Sequence, residues 1–148
     1  MPDETALLIA DVLEAAGALR RLGDQTAAAE GLTQARWQVL SVVSEEPLTI
    51  PQAARRLGVS RQNIQRVAND LASLGLAAYT ANPDHRGSPL LTLTPRGEES
   101  LARLNDRATT LHRALFAAIP VEEIRATRDS LRRLLTELDR HEGTPGRR

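Results

Sequence analysis

Apolar residues return every three or four positions over most of this chain, and each lapse in that rhythm falls beside a proline, a glycine or a cluster of turn-formers. Residues 4–30 read as a first helix, with Leu7, Leu8, Val12, Ala15, Leu19 and Leu22 forming an apolar stripe broken only by Asp11. Gly17 and Gly23 weaken it, and a bend or an early end is expected near Gly23. Thr33 suits the N-cap of a second helix from Gln34 to about Ser44, with Trp37, Leu40 and Val43 inward and Pro47 as the stop. Thr49 and Gln52 have capping-box spacing, Pro51 is tolerated in a first turn, and Ile50, Ala53, Ala54 and Leu57 make the buried face of a short third helix. Gly58, Val59 and Ser60 form a tight turn with one apolar plug. A fourth helix follows from Ser60 to Leu74, burying Ile64, Val67, Ala68, Leu71 and Leu74 and closing at a left-handed Gly75.

Past Gly75 the period changes. Residues 76–81 and 90–94 alternate as short strands around NPDHRGSP (82–89), a loop dense in turn-formers, which predicts a hairpin with a basic tip. Thr94 then caps another helix, with Pro95 at its first position and Glu98 and Glu99 near its positive end. Leu101, Leu104, Ala108, Leu111, Leu115 and Ile119 recur along about 25 residues until Pro120 interrupts. A last helix over 121–141 carries Ile124, Leu131, Leu134, Leu135 and Leu138 on one side, and residues 143–148 are expected to be a disordered tail. The pattern predicts a mainly α chain with a small β-hairpin: a short helix, a glycine turn and a second helix with a hairpin beside them. That lobe occupies 32–97. The stripes of 1–31 and 98–142 exceed what so small a lobe can cover, which predicts dimerisation helices and a homodimer.

Composition narrows the function. The 148 residues are 41% hydrophobic and 26% charged, ordinary for a folded domain, and one Trp, one Tyr and one Phe leave an aliphatic core. Absence of cysteine excludes disulfides, thiolate metal sites and thiol redox sensing. His85, His112 and His141 stand too far apart in sequence for a zinc cluster, so no metal or cofactor is expected. No apolar run approaches the roughly 20 residues that span a bilayer and no leader opens the chain, which reads as cytoplasmic with no membrane partner. The formal net charge is zero, but it is unevenly spread. Residues 1–46 hold eight acids against three arginines, whereas 47–97 hold six arginines against Asp70 and Asp84. The basic excess coincides with the fourth helix.

That helix turns outward Arg61, Gln62, Asn63, Gln65, Arg66 and Asn69, with a single acid, Asp70, nearby. Guanidinium forks suit guanine and phosphate, and side-chain amides suit adenine, so the face matches double-stranded DNA. Arg61 serves either a phosphate or a base. Arg55 and Arg56, on the preceding helix, are either backbone contacts or plain solvated surface. A winged-helix module that binds a protein through the same face is the alternative reading. No glycine-rich phosphate loop, nucleophile elbow or HExxH occurs, and an enzyme is not expected.

The order of elements resembles the MarR family of winged helix-turn-helix transcriptional regulators. The resemblance rests on LTQARWQVL (32–40), LTIPQAARRLGVSRQNIQRVANDLASLGL (48–76), NPDHRGSPLLTLT (82–94) and TPRG (94–97), with Asp84 and Arg86 matching the family's D-x-R wing signature. It implies a homodimer on a pseudo-palindromic operator, with recognition helices about one DNA turn, roughly 34 Å, apart in the major groove. Arg86 would enter the narrow, electronegative minor groove, and Asp84 would orient the wing. The resemblance also implies a repressor relieved by a small aromatic effector, with Trp37, His112 and Arg20 as candidate pocket residues. A Trp in that setting is more often core.

Overall fold

Thr33, Thr49 and Ser60 each accept a hydrogen bond from the backbone N–H three residues on, at 3.2, 3.3 and 3.1 Å. These bonds satisfy amides that an α-helix leaves unpaired at its start, so each residue fixes where a helix begins. In the computed structural model, which describes residues 1 and 3–143, they open α2 (Gln34–Glu45), α3 (Ile50–Leu57) and α4 (Arg61–Ser73). Thr49 and Gln52 close the expected capping box, the Gln52 Oε1 accepting from the Thr49 N–H at 2.9 Å. Before these lies α1 (Glu4–Ala28); after them come β1 (Ala77–Thr80), β2 (Leu90–Leu93), α5 (Pro95–Leu115) and α6 (Val121–Glu142). Gly58 and Gly75 take φ of +67° and +74°, the left-handed conformation that ends α3 and reverses the chain after α4.

Two compact units result, Met1–Arg107 and Ala108–Arg148, with the boundary inside α5. In the first, Leu40 of α2, Leu71 of α4, Leu91 of β2 and Leu104 of α5 are entirely removed from solvent. Each such side chain contributes about 1.5–3 kcal/mol relative to exposure. Ala53 and Ala54 let α3 lie close against this cluster. The hairpin is antiparallel, pairing Ala77 with Leu93 and Thr80 with Leu90, and Leu48 adds one further rung by exchanging two backbone bonds with Leu91. Thr94 joins three elements: its hydroxyl donates to the Gly75 carbonyl at 2.6 Å and accepts from the Gly97 N–H at 3.1 Å. Gly97 faces the Leu76 carbonyl so closely that a Cβ would collide with it. The second unit comprises the rest of α5, the turn over 116–119 and α6, which buries none of its residues. Among the described residues no helix is long and apolar enough to cross a membrane.

Four expectations are corrected. α1 neither bends nor ends at Gly23 but runs on to Ala28; Gly23 is buried, and a Cβ there would collide with the Gln34 side-chain amide. The glycine serves the approach of α2, whose Gln34 N–H also donates to Asp24 at 2.7 Å. Leu74 is 43% exposed because it follows the last residue of α4, and Leu76, beyond the reversal, takes the core position. Val59 is also exposed; the turn is held by its N–H bonding the Ala54 carbonyl, not by an apolar plug. Ile119 lies past the end of α5, exposed in the turn with Phe116. α6 ends at a left-handed Gly143, and the remainder of the expected tail lies outside the described residues.

Candidate DNA-binding surface

Burial of Ile64, Val67, Ala68 and Leu71 turns the opposite side of α4 to solvent, where Arg61, Gln62, Gln65, Arg66 and Asn69 are exposed and Asn63 is half-buried. The only acid nearby, Asp70, is paired with Arg36 of α2 at 3.2 Å, so the face carries cationic groups without a bare carboxylate. Arg66 donates to the Asn63 Oδ1 at 2.8 Å, one turn back along the helix, which draws its guanidinium toward the N-terminal half of α4. Arg55 is exposed on α3. Arg56 is exposed and engaged by Glu45 and Glu46, each at 3.1 Å, and so ties α3 to the end of α2.

Gln65 and Asn69 lie on the outward face as expected, and their amides are engaged there. Gln65 Nε2 donates to Asn69 Oδ1 at 3.0 Å and to the Tyr79 hydroxyl at 2.9 Å, and that hydroxyl donates to the same Asn69 oxygen at 2.7 Å. Burial raises the Tyr79 pKa, against a smaller opposing effect of the Gln65 bond, so the hydroxyl keeps the proton it donates. Tyr79 escaped notice in the sequence. Its one available signal is that it is the chain's only tyrosine, at an outward position of β1.

At the hairpin tip, Asn82 makes the ordering bonds: its Nδ2 donates to the Ser88 carbonyl at 3.0 Å and its Oδ1 accepts from the Asp84 N–H at 3.1 Å. Among the described residues the Asp84 carboxylate has no hydrogen-bond or ion-pair partner, and neither has the exposed Arg86 guanidinium. In this chain by itself the side-chain bonds at the hairpin tip are thus made by Asn82 and not by the Asp84 carboxylate. A cleft between the start of α4 and the hairpin is lined by Ile50, Pro51, Arg61, Gln62, Gln65, Tyr79 and Pro89.

Of the three candidate pocket residues, Trp37 packs half-buried against the core and donates its indole N–H to Asn105 at 3.3 Å, linking α2 to α5. Arg20 on α1 and His112 on α5 are exposed, and no hydrogen bond joins Trp37 to Arg20. A separate cleft lies between α2, β2 and α5, lined by Val43, Pro47, Leu93, Leu101 and Asn105. Near the end of α1, Glu30 accepts from Arg103 at 2.7 Å and from Ser100 at 3.2 Å. The Arg103 bond, opposed by desolvation, holds the Glu30 pKa below the ordinary glutamate range.

A family model described as MarR family matches residues 30–86, from the end of α1 to the hairpin tip. An uncharacterised protein of Mycobacterium tuberculosis is 57% identical over 138 residues, spanning 93% of this chain and 96% of that one. Among solved structures, a MarR family transcription regulator is similar at a TM-score of 0.77 with 25% identity, covering 93% of this chain and 95% of that one. CouR from Rhodococcus jostii RHA1, solved with p-coumaroyl-CoA bound, is similar in fold at a TM-score of 0.76 with 22% identity, over 89% and 92% of the two chains. The relatives of known class are transcription regulators: residues 30–86 match the MarR family model, and the chain as a whole is similar in fold to MarR family transcription regulators.

Proposed function

We propose that this chain is a homodimeric, sequence-specific DNA-binding regulator, with α4 as recognition helix and the hairpin as wing. The observation that carries the reading is the charge arrangement: Arg61 and Arg66 lie open on α4, Asp70 is cancelled by Arg36, and Arg86 stands unpaired at the wing tip. Gln62, Arg66 and Asn63 read base edges in the major groove, Arg61 and Arg55 flank them on phosphate, and Arg86 enters the minor groove. Gln65 and Asn69 complete the reading face.

The second copy is called for by the termini. Leu7, Leu8, Ile9, Leu13 and Leu19 of α1 and Leu135 and Leu138 of α6 are exposed, an apolar area that a soluble monomer rarely leaves open. Two-fold symmetry then pairs the recognition helices with the half-sites of a pseudo-palindromic operator. Repression relieved by a small aromatic effector is supported by the kinship in fold with CouR, which binds p-coumaroyl-CoA.

A gel-shift of purified protein on the DNA flanking its own gene, run at two salt concentrations, tests the reading. Expected is a sequence-specific complex that weakens steeply with salt as phosphate-bound counterions are released. Arg86→Ala lowers the slope of log K against log salt by about one and leaves base preference unchanged. A variant that binds like its parent across the titration removes the wing from the mechanism, and absence of any specific complex removes DNA from the function.

A further inference from the structure

We infer that Tyr79, on the wing, is a specificity-determining residue that gives the recognition-helix amides Gln65 and Asn69 a single hydrogen-bonding sign each. This rests on the DNA-binding reading above and adds to it a residue outside the recognition helix. The Gln65 Nε2 is turned toward both the Asn69 Oδ1 and the Tyr79 hydroxyl, at 3.0 and 2.9 Å, so the nitrogen end of this amide is held within the cluster. The Asn69 Oδ1 accepts from the Gln65 Nε2 and from the Tyr79 O–H, so the oxygen end of that amide is held within the same cluster. What remains to face a duplex is the Gln65 Oε1, an acceptor, and the Asn69 Nδ2, a donor.

An unrestrained glutamine or asparagine offers both signs and reads adenine with the pair. With Tyr79 in place, Gln65 recognises an exocyclic amino group, adenine N6 or cytosine N4, and Asn69 recognises a purine N7, a carbonyl oxygen or a phosphate. The ring of three bonds also holds both side chains before DNA arrives, which reduces the rotamer entropy lost on binding. Tyr79 supplies this because it bridges two elements: it sits on β1, opposite Leu91 in the hairpin, and reaches across to residues one turn apart on α4.

The test is Tyr79→Phe, which removes the hydroxyl and keeps the ring. Parent and variant are each used to select binding sites from a randomised duplex pool. In parallel, the side-chain NH2 signals of Gln65 and Asn69 are followed by NMR in the DNA-free proteins. Expected is a flattening of base preference by about fivefold, the worth of one hydrogen bond, at one or two positions per half-site. Other positions, the salt slope and the melting temperature stay as in the parent, and the Gln65 NH2 signals move toward those of a solvated amide. A variant that selects the same bases with the same strength, loses affinity evenly at every position, or leaves the NH2 signals unmoved overturns the inference. A parent that selects no sequence overturns the regulatory reading and this inference with it. A selective parent matched by its variant overturns this inference alone.

Discussion

The two ends of the chain and its middle use the same apolar alphabet to opposite ends. Between Leu32 and Leu104 the leucines and valines face one another and are consumed: Val39, Leu40, Ile64, Leu71, Leu91 and Leu104 keep at most 2% of their exposure. In α1 and α6, stripes just as regular stay uncovered, with Leu13 at 67% and Leu135 at 51%. Periodicity tells which residues share a face; it does not tell whether the covering surface belongs to the same molecule. Only the folded chain separates the two cases, because only there does the middle close on itself while the ends remain open.

The sharpest way to break this contrast is to put charge on the open stripes. Leu8→Glu combined with Leu135→Glu leaves the lobe folded by circular dichroism, makes the protein monomeric in sedimentation, and lowers operator affinity about 100-fold or more, since a second half-site bound in the same complex contributes at least that much. Were the double variant still dimeric, those stripes would have some other destination. Next in size is the closed core: Leu40→Ala removes about 2–5 kcal/mol from the lobe, read by urea titration, without changing subunit number. Arg66→Ala or Gln62→Ala costs about 1–3 kcal/mol of operator binding and relaxes base preference locally, with stability unchanged. The smallest effect concerns Glu30, just past the end of α1, which is joined to α5 through Arg103. Its pKa is lowered in the folded chain, so the stabilisation is fully present above the unfolded value, about 4.3 for a free glutamate, and is lost as pH falls through the folded value. Glu30→Gln is therefore slightly less stable than its parent at pH 7, and the two converge in acid; a gap that widens in acid would assign the bond another role.

Much of the lobe was legible in the sequence because its punctuation is local. Thr33, Thr49 and Ser60 cap the helices expected of them, and the hairpin falls within a residue of its expected strands. What escaped depends on neighbours distant in sequence. Gly23 looked like a weak point in a helix until Gln34 was found against it. Arg56 was open to two readings, backbone contact or solvated surface, and neither anticipated its ion pairs with Glu45 and Glu46. Gln65 and Asn69 were readable as polar outward residues, but their engagement by Tyr79 crosses from one element to another, and no spacing rule reports such a contact.

The hydroxyl of Thr94 has a consequence for motion. It grips the carbonyl that ends the α4 segment and the amide that begins α5, while Gly97 leaves no slack against Leu76. A tilt at the head of α5 therefore cannot leave the tail of α4 behind. The end of α4 and the first turn of α5 are thus pinned as one piece, so on the proposed reading a rotation of that first turn re-aims the helix offered to the duplex.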